Sequence, residues 1–471
     1  MYQSDLGLPP DIHPCLPQEI WLHVGQYVPE SDLRTLLGVN GAFFKLAMEL
    51  RYRKITVEEL GIKTMKMLQR LRSPGVAKYV RELTISVCCG FTDSTNYPGL
   101  PPETSFQKAV IEIIPGLYNV NSYSMHWKDD GYTVEEIVPL LTVAWTTFGS
   151  TLEKLSLRIP ITPITLSTSF YFTALRDFSI YLPLLPDGQR TLTDTLAPFI
   201  NKHARTLRAI TVSCIQSRWD IGPLFCSLVY IPNLRQIKLQ VDFETCGLSN
   251  PRGLTRILEE HGNHLKSVRL RPIPIRIWYS DWDVGEMAFG RWMRANISNP
   301  TVLRDMESLN LRTPCTPQDF ELMVAYLQRS AKTLTKLTLA EYYLRYHQIE
   351  TVVKIFSPEG ILRNLSLEVM SISPELIDLL STALPNLEVL KLEVQNISGR
   401  GEASHGFRDV LQMVNFKTEM EKRTYPNWKL YDIGIKKSGW DTLLLKTVAA
   451  SVPSIQSFYG KGTMNIEPIP R

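Results

Sequence analysis

Leu334-Thr335-Lys336-Leu337-Thr338-Leu339, Leu362-Arg363-Asn364-Leu365-Ser366-Leu367 and Leu387-Glu388-Val389-Leu390-Lys391-Leu392 are one pattern written three times, with leucine at the first, fourth and sixth places. The last two leucines are two residues apart, so in an extended chain they point to one face and the residue between them to the other. The first packs as the chain enters the strand. Working outward, the same spacing recurs at Val80-Leu83-Ile85, Leu152-Leu155-Leu157, Leu175-Phe178-Ile180, Leu207-Ile210-Val212, Leu234-Ile237-Leu239, Leu265-Val268-Leu270 and Met306-Leu309-Leu311. Ten copies in one chain decide the fold class, because an internal repeat outranks local propensity. Leu117-Val120 and Ile455-Phe458 read as degraded copies.

Between the copies lie stretches with helical spacing: Leu196, Phe199 and Ile200; Phe320, Met323, Val324 and Leu327; Leu376, Leu379 and Leu380. Strand then helix is the unit, and one unit cannot cover its own apolar face. Stacked units build a continuous core, which predicts an α/β chain with a parallel sheet and helices outside it. The pattern resembles the leucine-rich-repeat family in its irregular form. That resemblance implies a solenoid with parallel strands on the concave face and helices on the convex face. It departs from regular repeats, since the starts after Leu152 lie 23 to 41 residues apart and the Asn or Cys that usually closes the signature is mostly missing.

A chain of 471 residues is too long for one compact core, and 44% apolar with 21% charged residues argues against wholesale disorder. The net charge of +4 makes no case for nucleic acid or membrane binding. Its distribution is uneven: residues 201–345 hold twenty basic and thirteen acidic side chains, while residues 1–60 hold five and eight. The start lacks a basic stretch followed by an apolar one, and Pro9, Pro10 and Pro14 interrupt it. Ile137 to Trp145, the most apolar stretch, falls short of the roughly 20 residues a spanning helix needs. Seven cysteines without framework spacing fit reduced thiols, so the expected location is the cytoplasm, the nucleus or both.

Ahead of the repeats, residues 16–60 read as a module of three short helices. Ile20, Trp21 and Val24 share one side of the first, with Tyr27 and Val28 continuing to Pro29; Ser31 is placed to cap a second carrying Leu33, Leu36 and Leu37; the third carries Val39, Phe43, Phe44 and Leu46. So few residues cannot bury so many apolar groups among themselves, and an exposed apolar face marks a partner site. The order Leu16-Pro17-Gln18-Glu19-Ile20, Val24, Tyr27-Val28-Pro29, Asp32-Leu33, Leu36, Val39-Asn40 and Phe43-Phe44 resembles the F-box motif over about a tenth of the chain. The resemblance implies docking onto the Skp-type adaptor of a cullin ubiquitin ligase through Leu16, Pro17, Ile20, Val24, Leu33, Leu36 and Val39, with Pro17 pre-organised for a first helical turn. Gly25 stands where the family prefers a large aliphatic, which removes a contact and lowers helix propensity by about 1 kcal/mol. Asn40 replaces the family's usual Ser or Cys. Read without the resemblance, the same residues are core positions of a helical cap on a repeat scaffold or inhibitor that binds a protein partner and has no ubiquitin role.

The expected division is a flexible start over 1–15, the module over 16–60, the array over 61–460 and a flexible tail over 461–471. Strand positions alternating with the buried ones form the array's binding face. In the middle copies it carries Lys238, Gln240, Ser267, Arg269, Arg271, Asn310, Arg312, Lys336 and Thr338, a basic face suited to an acidic or phosphorylated segment of a protein substrate. The long gap from Leu270 to Met306 adds Trp278, Tyr279 and Trp282 as candidate interface anchors, while Trp292 and Met293 are expected to pack as the repeat's helix. Tyr342, Tyr343 and Tyr346 extend the same surface.

No catalytic set, metal or cofactor is expected. His261 and His264 beside Glu259 and Glu260 lack the order that puts two ligands and a base on one helical face, and read as a solvated helix end. Gly399 and Gly401 lack the third glycine of a dinucleotide site and the lysine of a phosphate loop, and read as a turn. The chain is thus expected to be a non-catalytic substrate receptor.

Overall fold

A computed structural model describes residues 17–58, 62–87, 106–127, 134–159, 166, 170–182, 189–214, 220–241, 250–271, 288–312, 316–357, 360–397, 407–437 and 439–461. The chain forms two compact units, residues 1–155 with 172–174 and residues 156–171 with 175–471. The segments 1–15 and 462–471, expected to be flexible, lie outside the described residues.

The first unit opens with helices α1 (Gln18–Gly25), α2 (Glu30–Thr35) and α3 (Gly41–Tyr52), with a tight 3-10 turn over Leu36–Gly38. Asn40 starts α3: its backbone is extended, and its side-chain oxygen accepts the Phe43 N–H at 2.9 Å. Ser31 does not cap α2. The helix begins at Glu30, Pro29 holds the cap position, and the Ser31 hydroxyl turns to Asp32 instead. Gly25 is buried, and a Cβ there would run into a methyl of Leu46. The missing side chain lets α1 lie close on α3, so Gly25 serves packing inside the module.

Strands β1 (Lys54–Val57), β2 (Glu82–Val87) and β3 (Ser122–Trp127) follow, paired in parallel. Ile55, Leu83 and Tyr123 form one buried row and Val57, Ile85 and Met125 a second. The sheet therefore begins at Lys54, inside the stretch assigned to the helical module. The degraded copy at Leu117 is in fact Val120-Tyr123-Met125 at full spacing, with a tyrosine in the leucine position. Burial pushes the Tyr123 phenol well above its ordinary range; its ring lies edge-on to Trp145 at 5.8 Å. The chain passes between the units within β4 (Lys154–Arg158).

The second unit runs β5 (Asp177–Tyr181), β6 (Ala209–Cys214), β7 (Gln236–Val241), β8 (Ser267–Arg271), β9 (Ser308–Arg312), β10 (Lys336–Leu344), β11 (Asn364–Ile372), β12 (Val389–Ile397), β13 (Asp432–Lys436) and β14 (Ser457–Phe458). Each pairs in parallel with the next. Register carries the signature straight across: Leu309, Leu337, Leu365, Leu390 and Ile433 are opposite one another, as are Leu311, Leu339, Leu367, Leu392 and Ile435. All are buried. Three buried apolar side chains per copy, at roughly 1.5–3 kcal/mol each, supply something near 5–9 kcal/mol before chain entropy.

Parallel neighbours need a long return, which helices supply. Thr316 and Ser373 cap two of them by accepting the N–H of Asp319 and Leu376, each at 3.2 Å and each followed by proline at the first helical position. Gly253 permits a close approach to neighbouring backbone: a Cβ there would stand 2.5 Å from the Cys226 nitrogen. One further repeat position is polar and buried. His203, His261, Ser330 and Ser451 each stand four residues ahead of the copy's first apolar residue. His203 and His261 bond the carbonyls of Phe199 and Ile257 in their own helices, both at 2.8 Å; Ser330 and Ser451 reach back to the carbonyls of Leu303 and Met420. His261 is therefore wholly buried and is no solvated helix end, as its position beside two glutamates had suggested. Together these features make the chain a leucine-rich-repeat-like α/β array.

Candidate functional site

In the helical module, α1 splits its residues by side. Trp21 turns inward, its ring edge-on to Phe43 at 5.5 Å. Ile20, Val24 and Tyr27, at helical spacing, stay 46%, 41% and 77% exposed, and Val39 is 59% exposed. Leu36 is half-buried and Pro17, the cap residue of α1, is exposed. Leu33 departs from the expectation: at 3% exposure it belongs to the interior, because α2 lies on α3 and Leu33 faces that contact. It is not open to a partner. Leu16 lies outside the described residues. Of the expected docking set Pro17, Ile20, Val24 and Val39 thus stay on the module's exterior and Leu36 partly so, with Tyr27 added by the structure.

Phe44, 48% exposed, lines a separate groove of about 580 Å³ within the first unit, together with Lys45, Lys78, Tyr79, Arg81 and Tyr118.

In the second unit the open sheet face bears one rung that runs Thr211, Lys238, Arg269, Asn310, Thr338, Ser366 and Lys391, each opposite the next. Adjacent strands stand about 4.8 Å apart, so neighbours on the rung are in reach of one ligand. A cavity of about 540 Å³ opens here, and Lys238, Arg269, Asn310 and Lys336 share its wall with Ser267, Ser308 and Thr338. Burial holds the Lys238 amine below the usual lysine range, Arg269 and Lys336 push it further the same way, and Asp177 opposes them. With the Asn310 amide turned so that its oxygen faces Arg269, it accepts from Nε at 2.9 Å and Nη2 at 3.1 Å. That amide then holds one edge of the guanidinium.

Arg312 is half-buried, and its Nε sits in a buried position without a hydrogen-bond partner among the described residues. Arg271 holds the register position opposite Gln240; its side chain lies outside the described residues, as do Trp278, Tyr279 and Trp282. Trp292 and Met293 are buried in the helix Ala288–Asn296, as their spacing predicted. Tyr343 is half-buried, and burial, then Glu393 and Glu368, raise its phenol. It therefore sits within reach of the same face's acidic end. Tyr346 is 46% exposed at the start of the helix Tyr346–Phe356.

Sequence reading missed Lys391, Glu368, Glu393 and Lys436 on this cavity wall. The first three are the face positions of copies already recognised, so alternation along the strand was signal enough. Lys436 belongs to a copy that went unread, Leu430-Ile433-Ile435. Gly399 and Gly401 lie outside the described residues. No described helix is long and apolar enough to cross a membrane.

No family model matches the chain, and no curated protein does. Among solved structures it is similar to a chain of the Rad7–Elc1 complex of yeast, with 12% identity over 95% of this chain and 89% of that chain and a TM-score of 0.35.

Proposed function

We propose that the chain is the substrate-recognition subunit of a Skp-cullin-F-box ubiquitin ligase, working in the cytoplasm or nucleus. The helical module docks the Skp-type adaptor and through it the cullin, while the open sheet face holds a protein substrate. Such a subunit performs no chemistry of its own; it raises the concentration of substrate lysines near the charged enzyme. The observation that carries the reading is the stripe of Ile20, Val24 and Tyr27, with Val39, left uncovered in a helical triplet whose residues follow the F-box order. A helical cap serving only its own core would bury that stripe.

Capture of a recombinant Skp-type adaptor by the full chain tests it. Ile20→Asp and Val39→Asp change exposed positions, so the melting temperature should stay within a few degrees while capture is lost. Capture retained in both variants, or absent from the unmodified chain, refutes adaptor docking and leaves a repeat scaffold.

A further inference from the structure

The groove of the first unit is built where the helical module meets the first repeats. Helix α3 contributes Phe44, Lys45 and Glu49, the chain ahead of β2 and β3 contributes Lys78, Arg81 and Tyr118, and Gln18 at the start of α1 shares the lining. The two chain segments ahead of the strands are tied together: the Asn119 side-chain amide donates to the Lys78 carbonyl at 2.9 Å, and Arg81 Nη1 donates to the Asn119 carbonyl at 3.4 Å. Among the described residues none of Lys45, Lys78 and Arg81 pairs with a carboxylate. Glu49 is the acidic member of the lining, so three cations face one anion. Phe44 and Tyr118, each about half exposed, bring apolar surface to the same space. An acidic segment carrying an apolar side chain is the chemistry that fits.

We propose that the residues preceding α1 occupy this groove in their own chain, with Asp11 paired to the cations and Ile12 against Phe44 and Tyr118. Residues 1–16 carry Asp5 and Asp11, neither lysine nor arginine, and the apolar Leu6, Leu8 and Ile12. This segment joins the helical module at Pro17, the neighbour of the groove-lining Gln18. Fully extended, the chain from Pro17 to Asp11 reaches no more than about 22 Å. So short a tether gives the segment a high effective concentration at the groove, which an unattached acidic peptide lacks. Helix α1 has eight residues and starts without a side-chain capping hydrogen bond. Anchoring the chain just ahead of it restrains the short helix that presents Ile20 and Val24. The inference needs neither adaptor docking nor a substrate on the repeats.

Carbodiimide, which joins a carboxylate to an amine in contact with it, tests this on the full chain at low concentration, with an isotope-labelled copy mixed in and the products read by mass spectrometry. Asp11 should couple to Lys45 or Lys78 of the same copy. A labelled peptide of residues 1–16 then tests the groove by fluorescence anisotropy. In the full-length Asp5→Lys, Asp11→Lys variant the chain's own segment is repelled, so the peptide should bind it at least roughly tenfold more tightly than it binds the parent. Adding Lys78→Gln or Arg81→Gln to that variant should weaken the peptide by about tenfold each with melting unchanged, and the pair guards against one substitution misfolding. Hydrogen exchange over α1 should be faster in the Asp5→Lys, Asp11→Lys variant than in the parent. Coupling only between copies or not at all, equal peptide affinity for parent and variant, or equal exchange over α1 overturns the proposal.

Discussion

Replacing His261 with alanine should cost the second unit about 3–5 kcal/mol, far more than a loop-edge histidine beside two glutamates would suggest. The ring is fully buried where the helix Arg252–Glu260 ends. Its Nδ1 lies 2.8 Å from the Ile257 carbonyl, which can only accept, so Nδ1 carries the proton. Nε2 is then bare and accepts the Ile231 N–H at 3.1 Å, in the chain leading to β7. Alanine leaves that N–H buried and unpaired, at about 1–3 kcal/mol, and removes the bond to Ile257, worth about 1. Loss of the stacked contact with Tyr230, at 4.8 Å between ring centres, adds roughly 0.5–1.5, with the cavity left by the ring as the remainder. Urea unfolding followed by circular dichroism measures the total. Because a repeat array can lose cooperativity locally, hydrogen exchange read by mass spectrometry should place the loss at β7 and β8. A cost below about 1 kcal/mol, or faster exchange spread evenly over the array, would refute the view that this side chain ties one repeat to the one before.

Ser330→Ala should cost about 2 kcal/mol by urea unfolding. Its buried hydroxyl donates to the Leu303 carbonyl at 2.7 Å and accepts the Met306 N–H at 3.3 Å, across a turn in which Leu303 and Asp305 adopt φ near 57° and 54°. His203 gives a pH dependence. Burial first, then Lys202, holds its folded-state pKa below the ordinary 6.5, against the raising effect of its bond to Phe199, so the neutral ring is the one the fold prefers. Its contribution is whole above about pH 6.5 and declines as pH falls below that value towards the lower folded pKa. The stability difference between the parent chain and His203→Phe should therefore shrink between pH 7.5 and pH 5, and a constant difference contradicts the assignment. Gly25→Leu, although it installs the residue type the F-box order favours, should lower the module's melting temperature through overpacking worth roughly 1–3 kcal/mol against Leu46 and leave adaptor capture no stronger.

Strand position was legible wherever leucine, isoleucine or valine filled all three apolar places. Copies were lost for two physical reasons. Tyr52-Ile55-Val57 and Val120-Tyr123-Met125 keep the spacing but use a tyrosine, whose bulk fits a buried row yet reads as a surface residue by its hydroxyl. Leu430-Ile433-Ile435 has the right residues, but Gly434 and Asp432 between them look like a turn; in the structure Tyr459 lies where a Cβ of Gly434 would go, and the buried Asp432 carboxylate accepts the Gly460 N–H at 2.8 Å. Both are tertiary contacts that spacing cannot show. Leu33 was misjudged for a related reason, since helical spacing identifies an apolar side but not which neighbour covers it.

The same separation explains why the open face can carry chemistry at small cost to the fold. Each copy commits three apolar places to the interior and, in four repeats, one polar place to tying the helix back. Those places are closed to variation by several kcal/mol apiece. The face positions touch neither set: Lys336 is exposed, and Lys238 and Arg269 are half-buried on the sheet's other side. Burial chiefly, with Arg269 and Lys336 adding to it and Asp177 opposing them, holds the Lys238 amine low on that side without touching the interior.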